Sequence, residues 1–137
     1  MILVVTDTSV YVSALVFGGI PREALAEILK PPYRLAVSAQ LQAELAQTLG
    51  NKFGWPAERI ASAGDYLWRD ALWCPPIPVQ ASRDPNDDHV LGCALAAEAR
   101  MVVTGDKDLL TLHPFQTIAI VTPAQFLALH AASAQSG

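Results

Sequence analysis

The 137-residue sequence has little charge and no long uninterrupted apolar run. Only 16% of its residues are charged and 52% are hydrophobic, so most of the chain is expected inside a core or at an interface. No apolar run approaches the roughly 18 residues that a membrane-spanning helix requires. The first residues also lack the basic start and the small-residue cleavage site of a secretory signal peptide. We therefore expect a single cytoplasmic domain.

Cysteine and histidine are scarce and are not spaced as metal ligands. The two cysteines, Cys74 and Cys93, are far apart in the sequence, and free buried thiols are the default in a cytoplasmic chain. The histidines, His89, His113 and His130, show no zinc spacing, which favours ordinary surface or core roles.

Other enzyme classes are disfavoured by motifs that the sequence lacks. It has no glycine-rich loop of the P-loop or dinucleotide-binding type. Ser9 and Ser13 have no recognisable partner base, and an aspartyl-phosphate enzyme would require a second acid at position 9. The net charge of −4 argues against a broad basic surface for duplex binding. Acids gathered in one metal site would produce the same sign, so a nucleic-acid enzyme remains compatible with it.

The apolar residues predict an alternation of strands and helices. Continuous apolar runs at residues 2–5 and 101–103 are typical of strands buried on both faces. Shorter strands are expected at 33–37 and 116–121, and an edge strand within 72–79. Helices between them indicate an α/β fold, with a parallel sheet covered on both faces. The last helix is expected to end near His130.

Two acids follow the strands predicted at the two continuous apolar runs. Asp7 comes after the first strand, and Asp106 follows the Thr104–Gly105 ending of the strand at 101–103. If these strands are neighbours, both acids lie at the carboxyl edge of the sheet, where open α/β folds bind ligands. The alternative for Asp7 is a helix N-cap or turn residue.

A third acid, Glu44, lies within a predicted helix that Ser38 caps. It shares the apolar stripe of Leu41 and Leu45, and a carboxylate that faces a core is costly unless it is paired or bound to a metal. The alternative is a glutamate at the edge of the stripe that reaches solvent.

A fourth acid, Asp87, begins another helix and shares the stripe of Val90 and Leu91, whereas Asp88 is one step round. Its alternative is a first-turn acid favoured by the helix dipole alone. Four carboxylates in one cleft would repel one another, and hard oxygen ligands suit Mg²⁺ or Mn²⁺. Ions about 4 Å apart can activate water and stabilise the leaving oxygen of a phosphodiester. The acids therefore predict metal-assisted hydrolysis.

Four short motifs, in this order, resemble the PIN domain family. They are D-T-S-V at 7–10, the helical Glu44, D-P-N-D-D-H-V-L at 84–91 and V-T-G-D-K-D-L-L at 103–110. The likeness is greatest to the VapC-like toxins of bacterial toxin–antitoxin pairs, and it spans nearly the whole chain.

The length of the chain predicts one domain, over 1–130, and its polar end predicts a flexible tail at 131–137. The resemblance to the PIN domain implies a three-layer α/β/α sandwich with a mostly parallel sheet. It implies a ribonuclease that uses Mg²⁺, which Mn²⁺ can replace, and that acts on single-stranded or structured RNA. It also implies a homodimer and a cognate antitoxin that covers the acidic cleft. The competing hypotheses are a PIN fold that binds RNA or protein without cleaving, and a metal-dependent phosphatase.

The family's acids match four residues, which are predicted to be catalytic and to bind metal: Asp7, Glu44, Asp87 and Asp106. Glu44 would bind metal directly or orient the attacking water. Asp88 is a register alternative to Asp87, and Asp108 is a possible further ligand. The residues expected to hydrogen-bond to the ligands are Thr8, Ser9 (where Asn is common in the family) and Thr104. Arg83 or Lys107 would hold a substrate phosphate, with a solvated surface role as the alternative.

Overall fold

The computed structural model describes residues 1–75, 77–81 and 85–136. Its strands are β1 (Ile2–Thr6), β2 (Tyr33–Val37), β3 (Leu72–Trp73), β4 (Met101–Val103) and β5 (Ala119–Val121). Its helices are α1 (Thr8–Val12), which continues as a π-helical stretch over Ser13–Phe17, then α2 (Gly19–Ile28), α3 (Ala39–Phe53), α4 (Ala57–Leu67), α5 (Pro85–Ala97), α6 (Lys107–Leu110) and α7 (Pro123–Ser136). None of the helices in these ranges is long and apolar enough to span a membrane.

The five strands form one sheet in the order β3-β2-β1-β4-β5, and all four pairings are parallel. Strands β1 and β4 are therefore neighbours, which is the condition under which Asp7 and Asp106 were expected to lie at one edge of the sheet. Their register places Thr6 opposite Val103, and the amide of Asp7 donates to the carbonyl of Val103 at 3.1 Å. The residues that follow β1 and β4 thus lie side by side at the carboxyl edge of the sheet.

Helices cover both faces of the sheet, as the α/β pattern predicts. The chain runs from β1 to β2 to β3 in one direction and from β3 back to β4 and β5 in the other. Because such crossovers are right-handed, α1 to α4 lie on one face and α5 and α6 on the opposite face. Adjacent residues of the central strands are fully buried, among them Val4 with Val5 and Val102 with Val103. Both faces of these strands are therefore packed, and the sandwich has three layers.

Three element boundaries differ from those expected. Helix α3 is expected from the sequence to end near Leu49, but it continues through Gly50 to Phe53. Its C-cap is Gly54, whose φ of +67° suits the left-handed conformation that glycine favours. The last strand begins only at Ala119, because Gln116 has a φ of +54° within a turn closed by the Phe115–Ile118 bridge. Helix α7 runs six residues beyond His130, so the predicted end of this helix is wrong.

Candidate functional site

The carboxyl ends of β1 and β4 border the point where the order of the strands reverses. The chain leaves β1 towards β2 on one side, while β4 lies on the other, and such a switch point opens a crevice outside the sheet. A cavity of about 170 Å³ lies there. Its lining residues are Asp7, Thr8, Ser9, Glu44, Asp87, His89, Val90 and Asp106. The four predicted acids, from four separate parts of the chain, therefore border one cavity.

Two larger cavities lie elsewhere and do not gather acids. One, of about 540 Å³, lies between α3 and α4 and has Asp65 as its single acidic residue. The other, of about 610 Å³, is bordered by α2, β2 and the end of α4 and contains Asp70. These two cavities have the larger volumes, but the small cavity is the better candidate for a functional site because it gathers four carboxylates.

Asp7 is both a helix cap and a wall of the cavity. It is 7% exposed, and its Oδ1 accepts hydrogen bonds from the amide of Ser9 at 2.7 Å and from the hydroxyl of Ser9 at 2.6 Å. Its Oδ2 accepts from the buried hydroxyl of Thr104 at 2.5 Å. The N-cap that was considered as an alternative role is thus present together with the cleft position. Ser9 and Thr104 contact the carboxylate as predicted.

Asp106 occupies the matching position after β4. Its Oδ1 caps α6 by accepting from the amides of Asp108 at 2.8 Å and Leu109 at 3.3 Å. Its own amide donates to the hydroxyl of Thr104 at 3.0 Å. Because the same hydroxyl donates to Asp7, Thr104 links the two acids and fixes the spacing between the ends of β1 and β4.

Glu44 is held by donors from two other helices. Thr8 donates to Oε2 at 3.1 Å, and Nε2 of His89 lies 3.0 Å from Oε1. The expectation of an ordinary surface or core role for His89 misses this contact, because the residue borders the cavity and its side chain is only 9% exposed. A signal was available, since His89 stands two residues after Asp87 in the D-P-N-D-D-H-V-L motif at 84–91.

The neighbouring acids of α5 have different surroundings. Asp87 is half-buried and borders the cavity. Asp88 is 8% exposed, does not border the cavity, and accepts a hydrogen bond from the amide of Ala81 at 3.1 Å. Adjacent positions on a helix point about 100° apart, so only one of the two can face the cleft. The geometry favours Asp87 over its register alternative.

The remaining predicted residues lie at or beyond the rim. Asp108 is half-buried in the first turn of α6 and does not border the cavity. Lys107 is exposed at the start of α6, next to Asp106, and also does not border the cavity. Arg83 lies outside the described residues. Of the two expected phosphate contacts, only Lys107 can therefore be placed.

The donor set suits a hard divalent cation. Four carboxylates around one small cavity repel one another, and oxygen ligands of this kind are those that Mg²⁺ and Mn²⁺ prefer. As positioned, no three His, Cys, Asp or Glu side chains within the described ranges are grouped closely enough to hold a metal ion. Asp7 and Asp106 instead direct oxygens to the amides of their own helices. The chemistry of the residues fits the cation, and small side-chain rotations would have to bring them together.

Two neutral groups lie beneath the site. Burial, and to a smaller extent the nearby Asp7, raises the pKa of the Tyr11 phenol above its usual range. Burial, aided by Cys74, raises the pKa of the Cys93 thiol to about 12. Both groups are uncharged at pH 7, so they add no negative charge beneath the carboxylates.

Comparisons with known proteins show the family and the fold of this chain. A family model described as PIN domain matches residues 3–108, which include all four acids. The fold is also similar to a chain in the crystal structure of VapBC2 from Rickettsia felis bound to a DNA fragment from their promoter. The TM-score is 0.59 at 15% identity, over 88% of this chain and 98% of that one. No curated protein matches the sequence. Because the family model covers most of the chain, this protein belongs to the PIN domain family.

Proposed function

We propose that this protein is an endoribonuclease that requires Mg²⁺ or Mn²⁺ and hydrolyses RNA phosphodiester bonds. PIN domains are generally nucleases. The observation that carries the proposal is the cavity at the switch point, because it gathers four carboxylates from separate elements of the chain. No other described cavity concentrates acids in this way.

Each cleft residue has a role that follows from its contacts. Asp7, Asp87 and Asp106 would hold the cation, and Glu44 would bind it or orient the attacking water. A divalent ion bound there would lower the pKa of water and stabilise the charge that develops at the phosphate. Ser9 and Thr104 hold the Asp7 carboxylate in place through three hydrogen bonds.

Electrostatics requires a cation for substrate binding. The chain carries a net charge of −4, and an RNA phosphate would be repelled by the four carboxylates alone. Lys107 is exposed beside Asp106, where its ammonium group can contact a phosphate next to the scissile bond. Arg83 precedes α5 in sequence and is assigned the same role.

The biological setting proposed is the toxin of a toxin–antitoxin pair in the cytoplasm. The similar fold of VapBC2 supports a cognate antitoxin as partner. Large apolar side chains are exposed, including Phe17 at 74% and Trp73 at 49%, and such exposure favours contact with a second protein. We propose a homodimer as the free form of the toxin.

Cleavage of labelled single-stranded RNA by the purified chain tests this function. The wild type should cleave with Mg²⁺ or Mn²⁺ and stop with EDTA. Asp7→Asn should lose the activity and keep the fold, because asparagine caps helices as well as aspartate does. Asp65→Asn, which changes an exposed acid of α4, should cleave like the wild type.

Other outcomes would point to the competing functions. RNA binding without cleavage by the wild type would favour a module that holds RNA. Hydrolysis of small phosphate esters but not of RNA would favour a phosphatase. Equal cleavage by the wild type and Asp7→Asn would contradict the proposed site.

A further inference from the structure

His89 joins the two helical layers at the cleft. It lies on α5, on one face of the sheet, whereas Glu44 lies on α3, on the other face. Their side chains meet over the carboxyl edge, with Nε2 of His89 3.0 Å from Oε1 of Glu44. Both residues border the cavity that holds the other three acids. The pair is therefore part of the wall of the site.

The chemistry of the two groups sets the direction of the hydrogen bond. A carboxylate only accepts, so Nε2 of His89 carries the proton and donates to Glu44. Thr8 donates to the other oxygen at 3.1 Å, so one donor from α1 and one from α5 hold the carboxylate at both oxygens. Each oxygen keeps a second lone pair, so this arrangement orients Glu44 without blocking it.

The burial of His89 carries a cost that a purely structural residue need not have. Its side chain is 9% exposed, and within the described part of the chain its Nδ1 has no hydrogen-bond partner. An unsatisfied buried nitrogen destabilises the fold, and an apolar side chain of similar size would avoid this penalty. The hydrogen bond from His89 to Glu44 is the contact that can offset this loss of stability.

We propose that His89 is a positioning residue that acts through Glu44 in the nuclease reaction. This assignment rests on the proposed function. His89 fixes the direction in which the Glu44 carboxylate faces the other three acids, whether that carboxylate contacts the cation or its water. Removing the Nε2 donor frees Glu44 to rotate, because Thr8 alone holds only one oxygen.

Three substitutions separate positioning from general structure. His89→Leu removes the donor at similar size, and His89→Gln supplies an amide donor in its place. His130→Leu is the matched control, because it removes a second histidine–glutamate pair, His130–Glu27, which lies outside the cleft. His89→Leu should lower kcat about 10- to 100-fold, the range found for partners of metal-ligating side chains, with little change in KM. His89→Gln should recover most of this loss, and His130→Leu should keep the wild-type kcat.

A double-mutant cycle with Glu44→Gln tests whether His89 acts through Glu44. In the Glu44→Gln background, His89→Leu should change kcat by less than about 2-fold, because coupled residues are not additive. Losses that multiply would overturn the assignment, as would a His89→Gln enzyme as impaired as His89→Leu. A His89→Leu enzyme with the kcat of the wild type would overturn it too.

Binding of Mn²⁺, measured by calorimetry without RNA, distinguishes failure of this assignment from failure of the proposed function. His89→Leu should weaken Mn²⁺ binding about 10-fold, and His89→Gln should bind as the wild type does. If the wild type binds Mn²⁺ but cleaves no RNA, the proposed function is wrong. The shift in affinity then supports the positioning of Glu44 by His89 at a cation site, whereas a part in a nuclease reaction is overturned. Unchanged affinity in His89→Leu would overturn the positioning, and a wild type that neither binds nor cleaves would overturn both the positioning and the proposed function.

Discussion

Two histidine–glutamate pairs in this chain have similar geometry and different surroundings. His89 and Glu44 are 3.0 Å apart at the carboxyl edge of the sheet, in a cavity shared with three further acids. His130 and Glu27 are 3.2 Å apart, where α7 packs against α2. Among the residues that the structure describes, no further acid is hydrogen-bonded to the second pair, and the hydroxyl of Tyr33 lies 3.0 Å from Nδ1 of His130. We refer to the first as the cleft pair and to the second as the clamp pair.

We infer from this difference that the neighbouring residues, rather than the histidine–glutamate contact itself, decide the role of each pair. Aromatic rings pack against the clamp pair, and the ring of Phe126 stacks on that of His130 at an interplanar angle of 5°. Its contacts are satisfied within the fold, and they tie the last helix to β2 and α2. The cleft pair borders a cavity with three further carboxylates, and we therefore propose that its contacts serve a bound cation.

Of the adjacent acids on α5, Asp87 should be needed for RNA cleavage and Asp88 for the stability of the fold. Asp87→Asn should lower RNA cleavage by about 100-fold or more and leave unfolding nearly unchanged, because it removes a charge that faces the cation site. Asp88→Ala should keep cleavage within about 3-fold but destabilise the fold by about 1–3 kcal/mol, since the amide of Ala81 loses its acceptor. Kinetics and urea unfolding of both variants check this. The reverse pattern would make Asp88 the cleft acid.

Neutralising the glutamate should reduce RNA cleavage in the cleft pair and affect only stability in the clamp pair. Glu44→Gln should reduce cleavage about 10- to 100-fold with little loss of stability, because one of four mutually repelling charges is removed. Glu27→Gln should leave cleavage unchanged and destabilise by at most about 1 kcal/mol, since its side chain is one-third exposed. The same RNA assay and denaturation curves measure both. Loss of cleavage in Glu27→Gln would abolish the distinction between the pairs.

Alkaline pH should weaken the core under the cleft pair. Burial raises the pKa of Cys93 on α5 to about 12, from 9.0 for an ordinary thiol. As the pH rises, the thiol loses its proton in the unfolded chain before it does so in the folded one. The contribution of Cys93 to the free energy of unfolding is therefore fully present below pH 9 and falls as the pH rises from 9 towards 12. The slope is about 1.4 kcal/mol per pH unit for this group. Urea unfolding between pH 8 and 10 should show it in the wild type, and Cys93→Ala should lose that part of the slope; equal slopes would contradict the burial argument.

Removing the Tyr33 hydroxyl should affect only the clamp pair. Tyr33→Phe deletes the contact with Nδ1 of His130 and keeps the ring packed against Phe126. We expect a loss of about 0.5–1.5 kcal/mol in the free energy of unfolding and no change in cleavage. Thermal unfolding together with the RNA assay provides the measurement. A drop in cleavage would show that the clamp pair communicates with the cleft.

The sheet and the acids that follow its strands could be predicted because local patterns encode them. The apolar runs at 2–5 and 101–103 have no polar residue that could face solvent, which predicts burial on both faces. Asp7 follows the first run after one intervening residue and Asp106 follows the second after two, and parallel neighbours bring the carboxyl ends of the strands together. Strand identity and site position thus come from the same short stretches.

The partners of Glu44 and the choice between acids on α5 depend on tertiary structure. His89 is 45 positions from Glu44, and only the crossing of two helical layers over the sheet edge brings them into contact. Asp87 and Asp88 both fit the first turn of a helix, and the rotation of α5 decides which one faces the cleft. The end of α3 was equally hidden, because Gly50 is tolerated within a helix and Gly54 stops it by its left-handed backbone.

Titration of the chain with Mn²⁺ tests most directly whether the cleft acids form one site for a divalent cation. The double variant Asp7→Asn/Asp106→Asn keeps both helix caps, since asparagine is an equally good N-cap. The variant Asp65→Asn/Asp70→Asn removes the same charge outside the cleft. We predict saturable binding in the wild type and in the second variant, and binding at least about 10-fold weaker in the first. Equal binding by all three proteins would contradict the account.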